Sequence, residues 1–268
     1  MSTHSTYYFL EDDEQDSSDA VYTVFDFAEA RPMAAVISGD AGNQIVRGTD
    51  DSDELFGQGG NDTIIGQNGD DTLYGGAGVA DPNDGDDLMA GGNGGDLMYG
   101  NTGNDEMHGG NGTGFDPTDT GDTIYGGKGA DVIYGNAGID ILYGGGSEVS
   151  PEDFGDTIYG GQGDDSILGN GGDDWIYGNA GGDWMHGGQG ADNYVFTNDH
   201  GIDIVAKFDS TDQLHIASNI NGTGWTTAQD VINATLFANG DALINTGNNN
   251  FITVIDVSSF DSGDIVLF

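Results

Sequence analysis

The sequence predicts an all-β protein, a parallel β-roll in which two short strands and two turns make each coil, closed by a β-rich cap at the carboxyl-terminal end. Three observations predict it: a nine-residue period opened by glycine, an aspartate at the sixth place of that period, and a large apolar residue at the eighth. Fifty glycines among 268 residues, with only four prolines and no Gly-X-Y triplet, set the chain apart from both globular and collagen-like compositions. Apolar residues make up 35%, too few for a thick core, so the core is expected to be narrow.

Repeats open at Gly39, Gly48, Gly57, Gly66, Gly75, Gly91, Gly100, Gly109, Gly126, Gly135, Gly144, Gly160, Gly169, Gly178 and Gly187. The sixth place reads Gln44, then Asp53, Asp62, Asp71, Asp87, Asp96, Asp105, Asp122, Asp131, Asp140, Asp156, Asp165, Asp174, Asp183 and Asp192. The eighth place runs from Val46 and Leu55 to Met185 and Tyr194 and is apolar throughout. Places seven to nine are expected to be extended, which sends the eighth side chain inward and its neighbours outward. The glycine run needs positive φ and close backbone approach, so it is a sharp turn. Two strands and two turns use two nine-residue repeats, so repeats two apart stack at about 4.8 Å, one strand spacing. One apolar residue per strand then gives a one-layer core.

Stacking sorts the aspartates onto two edges. Asp53, Asp71, Asp96, Asp122, Asp140, Asp165 and Asp183 fall on one, and Asp62, Asp87, Asp105, Asp131, Asp156, Asp174 and Asp192 on the other. The chain already carries 47 acidic against four basic residues, a formal charge of −43 that repels nucleic acid and anionic membranes. Carboxylates one strand apart call for a bound cation. With no cysteine there is neither a disulfide framework nor a thiolate site, which leaves oxygen ligation. One carboxylate from each of two coils plus turn carbonyls supplies the six or more hard oxygens that Ca²⁺ takes, whereas Mg²⁺ wants a tighter octahedron and zinc softer ligands. Six gaps on each edge set a ceiling of twelve ions. Aspartate also caps turns with no metal present, which is the competing explanation for any single position. Gln44 in place of aspartate, and Asp51 where glycine is expected, predict little metal in the first coil.

The residues match G-G-x-G-x-D-x-U-x over 39–195, and in this the chain resembles the RTX, or hemolysin-type, calcium-binding repeat family. The resemblance implies a right-handed roll that folds on calcium outside the cell. From Gly190 the strings GADNYVF and GIDIVAKFDSTDQLHIA, and the tail from Ala234 to Phe268 ending DSGDIVLF, resemble the carboxyl-terminal domain of serralysin proteases. That likeness implies a cap over 196–268 carrying an uncleaved signal for type I secretion machinery, and an extracellular location. A cap is also required physically, because an open last coil leaves a strand edge for other chains to pair with.

Residues 1–38 join an acidic stretch, Glu11 to Asp19, to an apolar one, Val21 to Ala35, and are expected to cap the first coil or stay mobile. They contain no basic start followed by an apolar run, and no stretch of the chain approaches a membrane span. Three repeats are stretched, at Val79–Gly85, around 113–120 and around 147–154, all between the glycine turn and its aspartate, so loops are expected to project there.

No catalytic motif accompanies the repeats. His4, His108, His186, His200 and His215 form no H-E-x-x-H, there is no G-x-S-x-G elbow, and the glycine strings open no βαβ unit. His108 and His186 occupy the ninth place and read as surface histidines. Tyr74, Tyr99, Tyr125 and Tyr143 share that place in even repeats, and Tyr134, Tyr159 and Tyr177 in odd ones, predicting two outward ladders; Trp175 and Trp184 extend the aromatic surface. Such rows stabilise strands or hold sugars. The leading expectation is a secreted calcium-binding module and not an enzyme. The alternatives are a calcium-dependent adhesin or carbohydrate-binding protein with a glycan or cell-surface ligand, and a polysaccharide-acting enzyme with an unrecognised site.

Overall fold

The computed structural model describes residues 35–76, 84–110, 119–145 and 154–268, and the backbone of a two-stranded pair at Phe25–Asp26 and Arg31–Pro32. Most of the three inserted segments, where projecting loops are expected, and most of residues 1–38, expected to cap the first coil or stay mobile, lie outside the described residues.

Nearly every strand is parallel to its neighbours, in two sheets. One contains, in order, Ile45–Arg47, Thr63–Asn68, Leu88–Asn93, Glu106–His108, Val132–Ala137, Thr157–Gln162, Trp175–Ala180, Asn193–Phe196, Gln213–Ile216 and Ile265–Leu267. The other contains Val36–Ser38, Glu54–Gln58, Thr72–Gly76, Leu97–Thr102, Thr123–Lys128, Ile141–Gly145, Ser166–Gly171, Trp184–Gln189, Ile202–Val205 and Asn250–Val254, and ends on two antiparallel strands, Asp241–Gly247 and Leu236–Ala238. Consecutive repeats alternate between the sheets, which makes this the parallel β-roll the period predicts. The stack begins with Val36–Ser38, before the first glycine repeat, and its parallel strands continue past residue 195. Each inserted segment leaves the register unchanged: Val132 pairs with Thr157 across one of them as Thr157 pairs with Trp175 without one.

The strands are longer than the sequence predicts. They run from the seventh place through the glycine that opens the next repeat, as in Val132–Ala137 with its strict alternation of half-buried and buried residues. That glycine falls on the same inward face as the eighth residue, and having no side chain it lets the strand continue over a narrow interior. At Gly135 an added Cβ would collide with the Asp140 carboxylate and with the Gly160 carbonyl of the next coil. Close approach therefore dictates glycine at the first place. Positive φ dictates the second and fourth, with Asn136 at 76° and Gly138 at 126°.

The core is a single file of side chains. Leu55, Ile64, Leu73, Met89, Ile124, Ile133, Leu142 and Ile176 are fully buried, and the file runs on without a break into Val231, Ile252 and Phe260 of the carboxyl-terminal segment. There the antiparallel ribbon turns at Asn248 and Asn249, with φ of 52° and 64°, the paired left-handed residues of a tight hairpin. A short helix, Ala228–Ala234, is started by a reciprocal capping box between Thr227 and Asp230.

Both aromatic ladders form, one lengthened by Phe56 and the other by His108. From Phe56 through Tyr74, Tyr99 and Tyr125 to Tyr143, ring centroids are 4.6–5.1 Å apart with planes within 5°. Each interior ring has both faces covered by its neighbours, so edges and hydroxyls reach solvent where a stacked sugar would need faces. This geometry favours the stabilising role. Trp175 and Trp184 lie in different sheets and do not form one surface.

Two outcomes follow for urea unfolding at saturating calcium. Gly135→Ala should cost about 1–3 kcal/mol, because backbone and carboxylate both have to move. Gly42→Ala, whose Cβ would find its nearest atom at 3.4 Å, should stay within about 0.5 kcal/mol. A Tyr99→Ala and Tyr125→Ala double variant should lose stability while leaving its signal on a glycan array unchanged; a glycan signal lost along with those rings would reinstate the sugar-binding surface.

Candidate metal centre

Every turn delivers its aspartate into the space beneath the next coil. The first carboxylate oxygen, Oδ1, accepts the backbone N–H of the aspartate one coil earlier. On one edge Asp53 N–H donates to Asp71 (2.7 Å), Asp71 to Asp96 (2.8 Å), Asp96 to Asp122 (2.7 Å), Asp122 to Asp140 (2.8 Å), Asp140 to Asp165 (2.9 Å) and Asp165 to Asp183 (2.9 Å). On the other, Asp62 donates to Asp87, Asp87 to Asp105, Asp105 to Asp131, Asp131 to Asp156 and Asp156 to Asp174, each at 2.8 Å, and Asp174 to Asp192 at 3.1 Å. All fourteen aspartates singled out in the sequence therefore stand in two ladders, and all are buried.

The second oxygen is another matter. In Asp62, Asp71, Asp87, Asp96, Asp105, Asp122, Asp140, Asp165 and Asp183, Oδ2 is buried and accepts no hydrogen bond from any described residue. Leaving an ionised oxygen in that condition costs several kcal/mol. It faces the opening glycine of its own repeat, in most repeats together with a carbonyl from the next coil: a Cβ built on Gly57 would lie 2.4 Å from Asp62 Oδ2 and 2.3 Å from the Gly75 oxygen. Carboxylate and carbonyl oxygens thus converge on one point in the turns from Gly48 to Gly169.

Burial, reinforced by neighbouring carboxylates and opposed by the N–H bond, drives these groups far above the ordinary aspartate range. Asp62, Asp71 and Asp165 rise to about 6, Asp96, Asp140 and Asp192 to about 7, Asp87 and Asp183 to about 8, and Asp122 to about 9. In Asp105, also raised to about 8, repulsion from Asp131 comes second only to burial.

The donor set fits a hard cation. Every candidate ligand is an oxygen, and no group of three or more His, Cys, Asp or Glu side chains gathers among the described residues. An ion here would draw on a carboxylate from each of two coils and on turn carbonyls, a mixture that suits Ca²⁺ and not zinc. The first coil differs: the Gln44 side-chain oxygen accepts the Asp40 N–H at 2.7 Å. Asp53 differs too, because Thr49 donates to its Oδ2 from both backbone (2.5 Å) and hydroxyl (2.9 Å).

Two rungs escape a search for the full motif. Asp203 accepts the Asp183 N–H and Asp212 the Asp192 N–H, each at 3.0 Å, although no glycine run precedes either. The residual signal is aspartate two places before a buried apolar residue, Val205 and Leu214. An outer ladder at the fifth place was equally hidden, with Asn104 Oδ1 accepting the Ala130 N–H and Asp164 Oδ1 the Gly182 N–H, each at 2.8 Å.

Raised carboxyl values fix the sign of a pH effect. Unfolded aspartates titrate near 3.9, so without metal these groups favour the roll fully below about pH 4 and withdraw that support as pH rises through about 6 to 9. Circular dichroism in chelator should therefore show more β-structure at pH 4.5 than at pH 8, and the calcium needed to restore it should be measurable only on the alkaline side. Equal spectra at the two pH values would contradict buried carboxylates of this kind.

No curated protein matches the chain. Among solved structures, the extracellular lipase LipA from Serratia marcescens aligns at a TM-score of 0.43 and 19% identity over 86% of this chain and 40% of that chain, too loosely to carry fold or function. The sequence model of the RTX calcium-binding nonapeptide repeat matches residues 47–79, 81–115, 117–147, 152–185 and 159–194, together just over half of the chain. This is a member of the RTX calcium-binding nonapeptide repeat family.

Proposed function

We propose that the chain is a secreted, non-catalytic module that folds when calcium enters the two aspartate ladders outside the cell. One observation carries this reading: in eight of the rungs, Asp62, Asp71, Asp87, Asp96, Asp105, Asp122, Asp140 and Asp165, a buried Oδ2 faces a carbonyl in its turn and accepts no hydrogen bond from any described residue. At neutral pH the metal-free chain has −43 of formal charge and too little apolar surface to offset its ordering entropy. About ten ions, each doubly charged, would cancel nearly half of that charge, and their binding energy becomes folding energy. Extracellular calcium modules typically bind at about 10⁻⁴ to 10⁻³ M, far above cytosolic calcium. A chain unfolded inside the cell would suit passage through type I secretion machinery, with residues 196–268 as signal and cap and 39–195 as the calcium roll. Supporting the non-catalytic reading, the sequence carries no recognisable nucleophile, zinc or nucleotide motif. No helix among the described residues is long and apolar enough to cross a membrane.

A calcium titration followed by circular dichroism, with magnesium as control, tests this. Folding should switch on with calcium alone, and metal analysis of the folded protein should find about ten ions. Asp131→Ala should raise the calcium midpoint more than Asp53→Ala, since Asp131 is bonded to rungs on both sides in mid-ladder whereas Asp53 already has Thr49. A chain fully β-structured in chelator at pH 8, or fewer than about five ions, would overturn the proposal.

A further inference from the structure

We infer that the ladders carry built-in terminators, and that at the carboxyl-terminal end the side chain of His200 takes the place of a metal ion. The inference rests on the calcium reading above. Asp203 continues the ladder like any other rung, its Oδ1 accepting the Asp183 N–H. Its Oδ2, however, lies 2.5 Å from His200 Nδ1, and His200 Nε2 lies 2.8 Å from the Thr246 hydroxyl. His200, Asp203 and Thr246 are 2%, 1% and 0% exposed, so this is a sealed chain of hydrogen bonds. With Nδ1–H donating to the carboxylate, Nε2 is left to accept from Thr246. A charge-assisted bond here answers the desolvated carboxylate oxygen that in rungs such as Asp122 and Asp140 accepts no hydrogen bond from any described residue. Because Thr246 sits on the antiparallel strand Asp241–Gly247, the imidazole also ties the last rung to the cap.

The other three ends are closed by similar means. Asp212 Oδ2 accepts the Asp209 N–H at 2.8 Å, Thr49 holds Asp53, and the Gln44 amide stands where a carboxylate would.

A second, independent feature marks the same boundary. At thirteen opening glycines, from Gly39 to Gly169, a built Cβ would find a glycine carbonyl oxygen of the next coil within 2.6 Å. At Gly178 and Gly187 the three nearest atoms all belong to Asp183 and Asp192. No carbonyl comes closer than 3.0 Å to a Cβ at Gly178, so the last gap on the Asp183 edge lacks the close carbonyl as well as an open carboxylate oxygen on its far side. Too few hard oxygens remain there for Ca²⁺. Asp203 and Asp212 copy the repeat's aspartate in sequence and backbone but hold no ion.

Calcium counting on purified, calcium-saturated full-length protein decides the matter. Asp203→Asn and Asp212→Asn should bind the same number of ions as the parent, while Asp140→Asn should lose at least one. An ion lost from Asp203→Asn or Asp212→Asn overturns the inference; a parent that binds no calcium overturns the underlying reading instead. The parent's proton NMR spectrum gives a second test. At saturating calcium a slowly exchanging His200 ring N–H, identified by its absence in His200→Gln, should appear in the proton NMR spectrum. A rapidly exchanging ring there means that Asp203 has turned to a cation, and the inference fails.

Discussion

Everything in this molecule depends on like-charged carboxylates held one strand spacing apart. The peptide N–H of each coil fixes one oxygen of the next coil's aspartate, which sets register and keeps the two edges straight. The same bond drives the carboxylate out of water and leaves its other oxygen facing a carbonyl. At about 4.8 Å, repulsion between two such charges is modest in water but several-fold larger in a buried setting. The arrangement that defines the fold is therefore the one that concentrates buried carboxylate oxygens along its two edges.

Other features reduce to the consequences of a narrow cross-section. One apolar residue per strand cannot support a conventional two-layer core, so stability accrues along the axis, each coil gaining mainly from its neighbours. Face-to-face tyrosines extend that axial logic to the outer surface, where each ring buries its faces against rings above and below. The carboxyl-terminal segment ends the series differently, by reversing strand direction in one sheet and filling the coil's end with Trp225, Val231 and Phe260.

Much of this was legible in the sequence because the period is short and unforgiving. A glycine in every first place, an aspartate in nearly every sixth and an apolar residue in every eighth left no other register, and both edges followed from counting. What the period could not reveal was why the first glycine is needed. Its φ is ordinary, and the obstacle to a side chain is the next coil, visible only once coils are stacked. The lengths of strands were misjudged for the same reason. Asp203 and Asp212 went unseen because their turns dispense with glycine, and the partners of His200 lie 3 and 46 residues away in sequence, beyond any local pattern.

The inserted segments change the chain length between rungs without changing the rungs. Among the nonapeptide repeats, aspartates bonded across a coil are 18 residues apart where no insertion falls and 25 or 26 apart where one does. Closure entropy grows only with the logarithm of loop length, so the longer coils cost about 0.3 kcal/mol more than the short ones. Growth at those three corners is nearly invisible to the thermodynamics of assembly. The roll can therefore vary in outline from corner to corner while its axis, pitch and register stay constant.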